Sequence, residues 1–244
     1  LLLIADQPWP DHVFSEARKQ GLRLTETRTF PSMVSYADGE VSRVQLVEIK
    51  AVGDAYPLRG ALRIARQSGL PDVAAGGVPP RGTVWIDERL AAALLVRPGD
   101  TLNVGKLNLR IDALLTQEPD RGVNFFSVAP RVLMNLEDVE ATALIQPGSR
   151  ITYRLLLAGE VPVIKGFRDR FADALGRGQR IEDAQNARPE IRSALDRAQK
   201  FLGLAAVLTV VLAAVAVALA ARRYTQRDLD PCAVMRCLGA TQSV

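Results

Sequence analysis

Between Phe201 and Ala221 the sequence runs for 21 residues without a charged side chain, built from Ala, Val, Leu, Gly, one Phe and one Thr, and closed by Lys200 and Arg222. As a helix this run measures about 31 Å at about 1.5 Å per residue, the hydrocarbon thickness of a bilayer. A buried core helix has a shorter apolar run, interrupted by polar residues on its solvent side. The sequence therefore predicts one transmembrane helix over residues 201–221, with residues 1–200 on one side of it and a short tail, residues 222–244, on the other.

The chain as a whole is 48% hydrophobic and 24% charged, ordinary values that allow the segment before the span to bury a core. Its net charge of +4 comes from arginines scattered along the chain. No dense basic patch interleaved with aromatics accompanies them, so nucleic acid is not an expected partner. Both cysteines, Cys232 and Cys237, follow the span, which fits free thiols in a reducing compartment and a cysteine-free domain outside it. The first residues, Leu1-Leu2-Leu3-Ile4-Ala5-Asp6, carry neither an initiator Met nor a basic region, and the natural chain is expected to extend upstream. Basic residues do not orient the span. Arg188, Arg192, Arg197 and Lys200 precede it, and Arg222, Arg223, Arg227 and Arg236 follow it, although the adjacent Arg222-Arg223 pair leans towards a cytoplasmic tail.

Leu1 to Ala5 reads as a strand, and Trp9-Pro10-Asp11 opens a helix that Gly21 stops. Leu22 to Phe30 is a second strand. Met33 to Tyr36 and Val41 to Val52 then form a hairpin around Asp38-Gly39, whose dipeptide favours positive φ. Residues 57–81, rich in Pro and Gly, are expected to be a connector. Beyond them come a strand at Thr83 to Asp87, a helix at Glu88 to Val96 and a hairpin through Gly105-Lys106; a helix is expected to start near Ala129-Pro130, followed by a further segment at Leu136 to Leu144. A second β-α-β unit follows, with a strand at Ser149 to Ala158, a helix at Val161 to Leu175 and a strand at Gln179 to Asp183. The expected fold class is α+β: a ferredoxin-like split β-α-β domain (residues 1–75 and 148–187) with an inserted β-rich subdomain (76–147), followed by a stalk helix (188–200) and the span. Ile191, Leu195, Ala198, Leu202 and Ala205 step by four, three, four and three, the seam of a two-helix stalk. The alternative is one amphipathic helix lying on its own domain.

Little here suggests catalysis. His12, the one histidine, falls near a helix start, where a solvated or capping role is expected. Cys232 and Cys237 lack the spacing of a zinc or redox pair. Gly99 to Lys106 departs from a phosphate-binding loop both in spacing and in having Leu107 where Ser or Thr would hold magnesium. Glu137-Asp138 and Glu182-Asp183 are adjacent in sequence and are expected on solvated faces. No catalytic residue, cofactor or metal ligand is expected in this chain.

The tail carries Val234, Met235 and Leu238 as an apolar stripe on a short amphipathic helix that Gly239 would stop. The order of span, basic pair, apolar stretch and Arg236-Cys237-Leu238-Gly239-Ala240-Thr241 resembles the FtsX/MacB-type ABC transporter permeases. Phe30-Pro31-Ser32-Met33-Val34, Tyr56-Pro57-Leu58-Arg59-Gly60, Glu118-Pro119-Asp120-Arg121-Gly122, Ala129-Pro130-Arg131-Val132-Leu133-Met134-Asn135 and Gln146-Pro147-Gly148-Ser149-Arg150 are similar to the YbbP-like branch. The resemblance implies a permease subunit of the bacterial inner membrane, with residues 1–200 periplasmic and a porter-like domain carrying an insertion. It also implies a tail helix (Val234, Met235, Arg236, Leu238, Gly239 and Ala240) that contacts a separate ATPase dimer. ATP and magnesium would sit on that partner, a periplasmic hydrolase is a further implied partner, and the implied cargo is hydrophobic or lipid-like. The alternative function is a membrane-tethered ligand-binding sensor or scaffold.

Overall fold

The computed structural model describes residues 1–39, 41–121, 129–146, 148–172, 174–182 and 189–238. Two compact units divide the chain, Leu1–Ala184 and Gln185–Val244.

The first unit is built on β1 (Leu2–Ala5), α1 (Asp11–Lys19), β2 (Arg23–Asp38), β3 (Val41–Val52), β4 (Arg63–Ala65), β5 (Val73–Ala74), β6 (Thr83–Asp87), α2 (Glu88–Leu94), β7 (Thr101–Val104), β8 (Leu107–Gln117), β9 (Arg131–Asn135), β10 (Thr152–Ala158), α3 (Val161–Ala172) and β11 (Arg180–Glu182). Two 3-10 turns, Leu136–Asp138 and Glu140–Thr142, follow β9. Four strands in the order β11-β1-β10-β2, each antiparallel to its neighbour, and the two connections β1-α1-β2 and β10-α3-β11 make the expected split β-α-β sheet. Alternation along the strands turns Leu3, Leu155 and Leu157 to the face covered by Val13 and Ala17 of α1 and Phe167 of α3, all within one apolar core.

The insertion leaves this sheet through the β2–β3 hairpin. Pairing of β10 with β2 ends at Thr29, while β2 and β3 stay in register out to Asp38 and Val41. On its other edge β3 pairs in parallel with β9 over Glu48–Val52, β9 pairs with β6, β6 with β8, β8 with β7, and β7 returns to Val34 and Ser35 of β2. The six strands thus form a closed ring, with Val34, Val47, Ile86, Leu102, Leu109 and Val132 among its core side chains. Closure leaves fewer free strand edges for stray pairing.

Three local expectations are corrected. The segment from Ala129 does not start a helix; Arg131–Asn135 is a strand buried along its whole length, between β3 and β6. A short strand covered on both faces shows no apolar–polar alternation, as in Val132-Leu133-Met134, so its periodicity does not separate it from a short buried helix. Residues 57–81 are more than a connector, because they hold β4 and β5, and Leu62 and Ile64 join Tyr56, Val52, Trp85 and Leu133 in a second core on the opposite face of the sheet. Leu22 to Phe30 and Met33 to Tyr36 are not separate strands but parts of β2, which passes through Pro31. Pro31 falls where β2 has left β10 and has not yet met β7, so its missing N–H is tolerated there.

In the second unit α4 (Pro189–Cys237) is one helix of 49 residues. The tail does not form a separate short helix after the span; it continues α4 across Pro231. That proline has no N–H to offer the carbonyl four residues earlier, and the helix persists on its remaining bonds.

Candidate functional site

Pro189 occupies the first position of α4, where a missing N–H costs nothing because first-turn donors have no partner within the helix. Within α4, Arg197–Thr225 is long and apolar enough to cross a membrane, and its residues are exposed. Phe201, Leu204, Val207, Val210 and Leu212 are all exposed, on every side of the helix. In water this surface would far exceed the apolar patches that soluble proteins tolerate, whereas in hydrocarbon it is the matching surface. Both threonine hydroxyls of the segment are satisfied internally: that of Thr209 donates to the Ala206 carbonyl at 2.7 Å and that of Thr225 to the Ala221 carbonyl at 2.9 Å. Arg222, Arg223 and the exposed Tyr224 follow, residue types that settle at a membrane–water boundary.

The residues singled out for contacts are distributed along this helix. Ala198, Leu202 and Ala205 of the seam are exposed on α4. Ile191 and Leu195 lie in the same helix, with their side chains outside the described part of the structure. In the tail, Val234 and Leu238 are exposed, as is the free Cys237 thiol. Met235 and Arg236 are in α4, their side chains again outside the described part, and Gly239 and Ala240 lie outside the described residues.

A second constellation sits in the first unit, and sequence reasoning missed it. Lys50 of β3 is 1% exposed. Its ammonium donates to the Tyr56 hydroxyl at 2.9 Å, to Glu118 Oε1 at 2.5 Å and to both oxygens of Asp120 at 2.8 and 2.9 Å. The Tyr56 hydroxyl also hydrogen-bonds to Glu118 and Asp120, and Arg131 of β9 lies 3.3 Å from Glu118 Oε2 and 3.2 Å from Glu48. Burial, reinforced by the two carboxylates, raises the Tyr56 hydroxyl far above the ordinary phenol range, so it remains protonated. Burial alone would also raise Asp120, but the charge and hydrogen bonds of Lys50 and the Tyr56 hydroxyl hold its carboxyl below its ordinary value. Nearby, Arg121 and Arg89 both pair with Asp87, at 3.0 and 2.9 Å. The available sequence signal was Lys50 itself, a charge between Ile49 and Ala51 near the end of a strand. The segment from Glu118 to Gly122 carries a family resemblance but no local signal for this role.

The remaining candidates stay apart. His12 is exposed, its ring stacked at 6.5 Å from that of Phe171. Gly99 and Gly105 have positive φ at the two ends of β7, so a strand rather than a single loop separates them, and Gly105 packs against the Thr142 carbonyl. Asp138 is not on a solvated face: it is 8% exposed and accepts from the Gly82 amide at 2.7 Å, while its neighbour Glu137 pairs with Arg81 at the surface. Among the described residues no group of His, Cys, Asp and Glu is arranged to hold a metal.

The chain is 37% identical over 231 residues, 95% of its own length, to the uncharacterized ABC transporter permease YbbP of Escherichia coli K12, and spans 27% of that protein. No family model matches. Among solved structures, the periplasmic region of MacB from Actinobacillus actinomycetemcomitans is 13% identical, with a TM-score of 0.48, 78% of this chain and 92% of that chain being covered. The extracellular domain of the noncanonic ABC-type transporter YknZ from Gram-positive bacteria is 7% identical, with a TM-score of 0.44, 75% and 99% being covered.

Proposed function

From the 37% identity of this chain to a segment of the ABC transporter permease YbbP, we propose that it is part of such a permease and couples ATP hydrolysis on a separate ATPase subunit to movement of a periplasmic domain. In this proposal α4 crosses the bacterial inner membrane, the unit Leu1–Ala184 is periplasmic and the tail is cytoplasmic. The observation that carries it is the continuity of α4 from Pro189 to Cys237. At about 1.5 Å per residue such a helix is roughly 70 Å long, more than twice the bilayer core, and its backbone bonds make it stiff along its axis. A displacement at one end is then delivered at the other without an intervening hinge loop.

The contact surface for the ATPase is the tail: Val234, Met235, Arg236, Leu238, Gly239 and Ala240. Exposed apolar side chains beside a bilayer surface, at Val234 and Leu238, suit a hydrophobic groove on a partner. The subunit itself is non-catalytic, with ATP and magnesium held by the partner, and the transported or extracted compounds are hydrophobic or lipid-like.

The test is co-purification of the full-length permease with its candidate ATPase, comparing wild type with Met235→Glu and Leu238→Glu. The expected result is retention by wild type and loss in both variants. An ATPase that fails to bind wild type would overturn the proposal in favour of a membrane-tethered sensor.

A further inference from the structure

Beside the second apolar core, the face of the sheet turned away from α1 and α3 carries a polar strip of cations and hydroxyls. Register places Thr29 opposite Lys50 on one side, and Thr27 opposite Arg154 of β10 on the other; the β3–β9 register adds Arg131 to the same face. Thr27 and Thr29 are 0% and 7% exposed, yet neither hydroxyl has a hydrogen-bond partner, and the buried Arg154 Nε has none either. Buried polar atoms ordinarily find partners, so a row of three unspent groups needs a reason. Beside them the segment Glu118–Arg121, just past the end of β8, places two carboxylates on the single ammonium of Lys50. Glu118 is fully enclosed, whereas the Asp120 side chain is 33% exposed, so solvent reaches one end of the cluster. Arg121 anchors the segment at Asp87.

We propose that this face is a binding site for a carboxylate ligand, and that Glu118 and Asp120 occupy it as an internal stand-in that the ligand displaces. Two features support exchange. The stand-in carboxylates belong to a segment outside the strands, so they are released without breaking the sheet, and hydration of the freed carboxylates offsets much of their lost pairing with Lys50. An entering carboxylate also finds donors at Thr27, Thr29 and Arg154 that Glu118 and Asp120 leave unused. That difference in bonding between the two states is what a ligand needs in order to shift the equilibrium. The proposal does not depend on which partner α4 meets.

The experiment uses the whole chain in a non-ionic detergent, with acetate and dodecanoate as probes and chloride and dodecanol as controls at matched ionic strength. Thermal midpoint and amide hydrogen exchange across residues 118–121 are followed together. A carboxylate is expected to raise the midpoint while exchange in that segment rises, the opposite of what non-specific tightening does. An effect of acetate points to a free small carboxylate; an effect of dodecanoate alone points to the head of an amphiphile. The double substitution Glu118→Gln with Asp120→Asn should tighten binding at least tenfold. Should it fail to fold, Thr27→Val with Thr29→Val still decides: it is near-isosteric, removes buried unpartnered hydroxyls, and should weaken binding about tenfold while the unliganded midpoint rises. No carboxylate effect on wild type, binding without increased exchange at residues 118–121, or indifference to the threonine pair would each overturn the proposal.

Discussion

Lys50 is the residue whose loss the first unit should tolerate least. Lys50→Met keeps the volume of the side chain but leaves Glu118 fully buried and Asp120 partly so, without their shared cation. Breaking a buried pair in this way costs about 3–5 kcal/mol, which denaturant titration should show as a lower midpoint with an unchanged slope. The sign of the acid dependence follows from the carboxyls. Asp120 is held below its ordinary value, and Asp72, hydrogen-bonded by Arg63 and then Thr116, is lowered from 3.8 to about 2. Groups depressed on folding contribute stability above their unfolded pKa and lose it as pH falls through the folded one. Stability should therefore hold down to about pH 4 and decline below it, and Asp120→Asn should reduce the slope of that decline, as measured by thermal midpoints across pH 2–6. Gly105 gives a backbone counterpart. With φ at +60 and the Thr142 carbonyl against its Cα, it has neither the conformation nor the space for a Cβ, so Gly105→Ala should destabilise by more than about 1 kcal/mol.

Elements differ in how far their neighbours decide them. The transmembrane stretch of α4 depends on its solvent alone. Val211→Asp, at the middle of the run, should cost about 2.5–3.5 kcal/mol of insertion free energy, seen as a larger fraction of the protein extracted from membranes at alkaline pH. β9 is the opposite case. Arg131–Asn135 is too short for its pattern to select helix or strand, and it becomes a strand because β3 and β6 present free backbone on either side. The pairing of β4 with β5 likewise follows from the apolar face that Tyr56, Leu62 and Ile64 cover.

At the scale of the molecule, the unit Leu1–Ala184 contains every strand described and both apolar cores. Cut after Ala184, it should unfold as one cooperative thermal transition with the far-UV signature of a mixed α/β protein; a broad, non-cooperative melt would show that it needs α4. The long apolar run, the two β-α-β units, the β2–β3 hairpin and the absence of a break after Pro189 were all legible in the sequence, because periodicity, turn dipeptides and span length are local properties. The closure of the ring through β7 onto Val34 and Ser35, the strand identity of β9, and the convergence of Lys50, Tyr56, Glu118, Asp120 and Arg131 were decided only by the tertiary structure. Each joins residues far apart in the chain, and the cation at position 50 acquires its partners from Glu118 and Asp120 only once the sheet has placed them beside it.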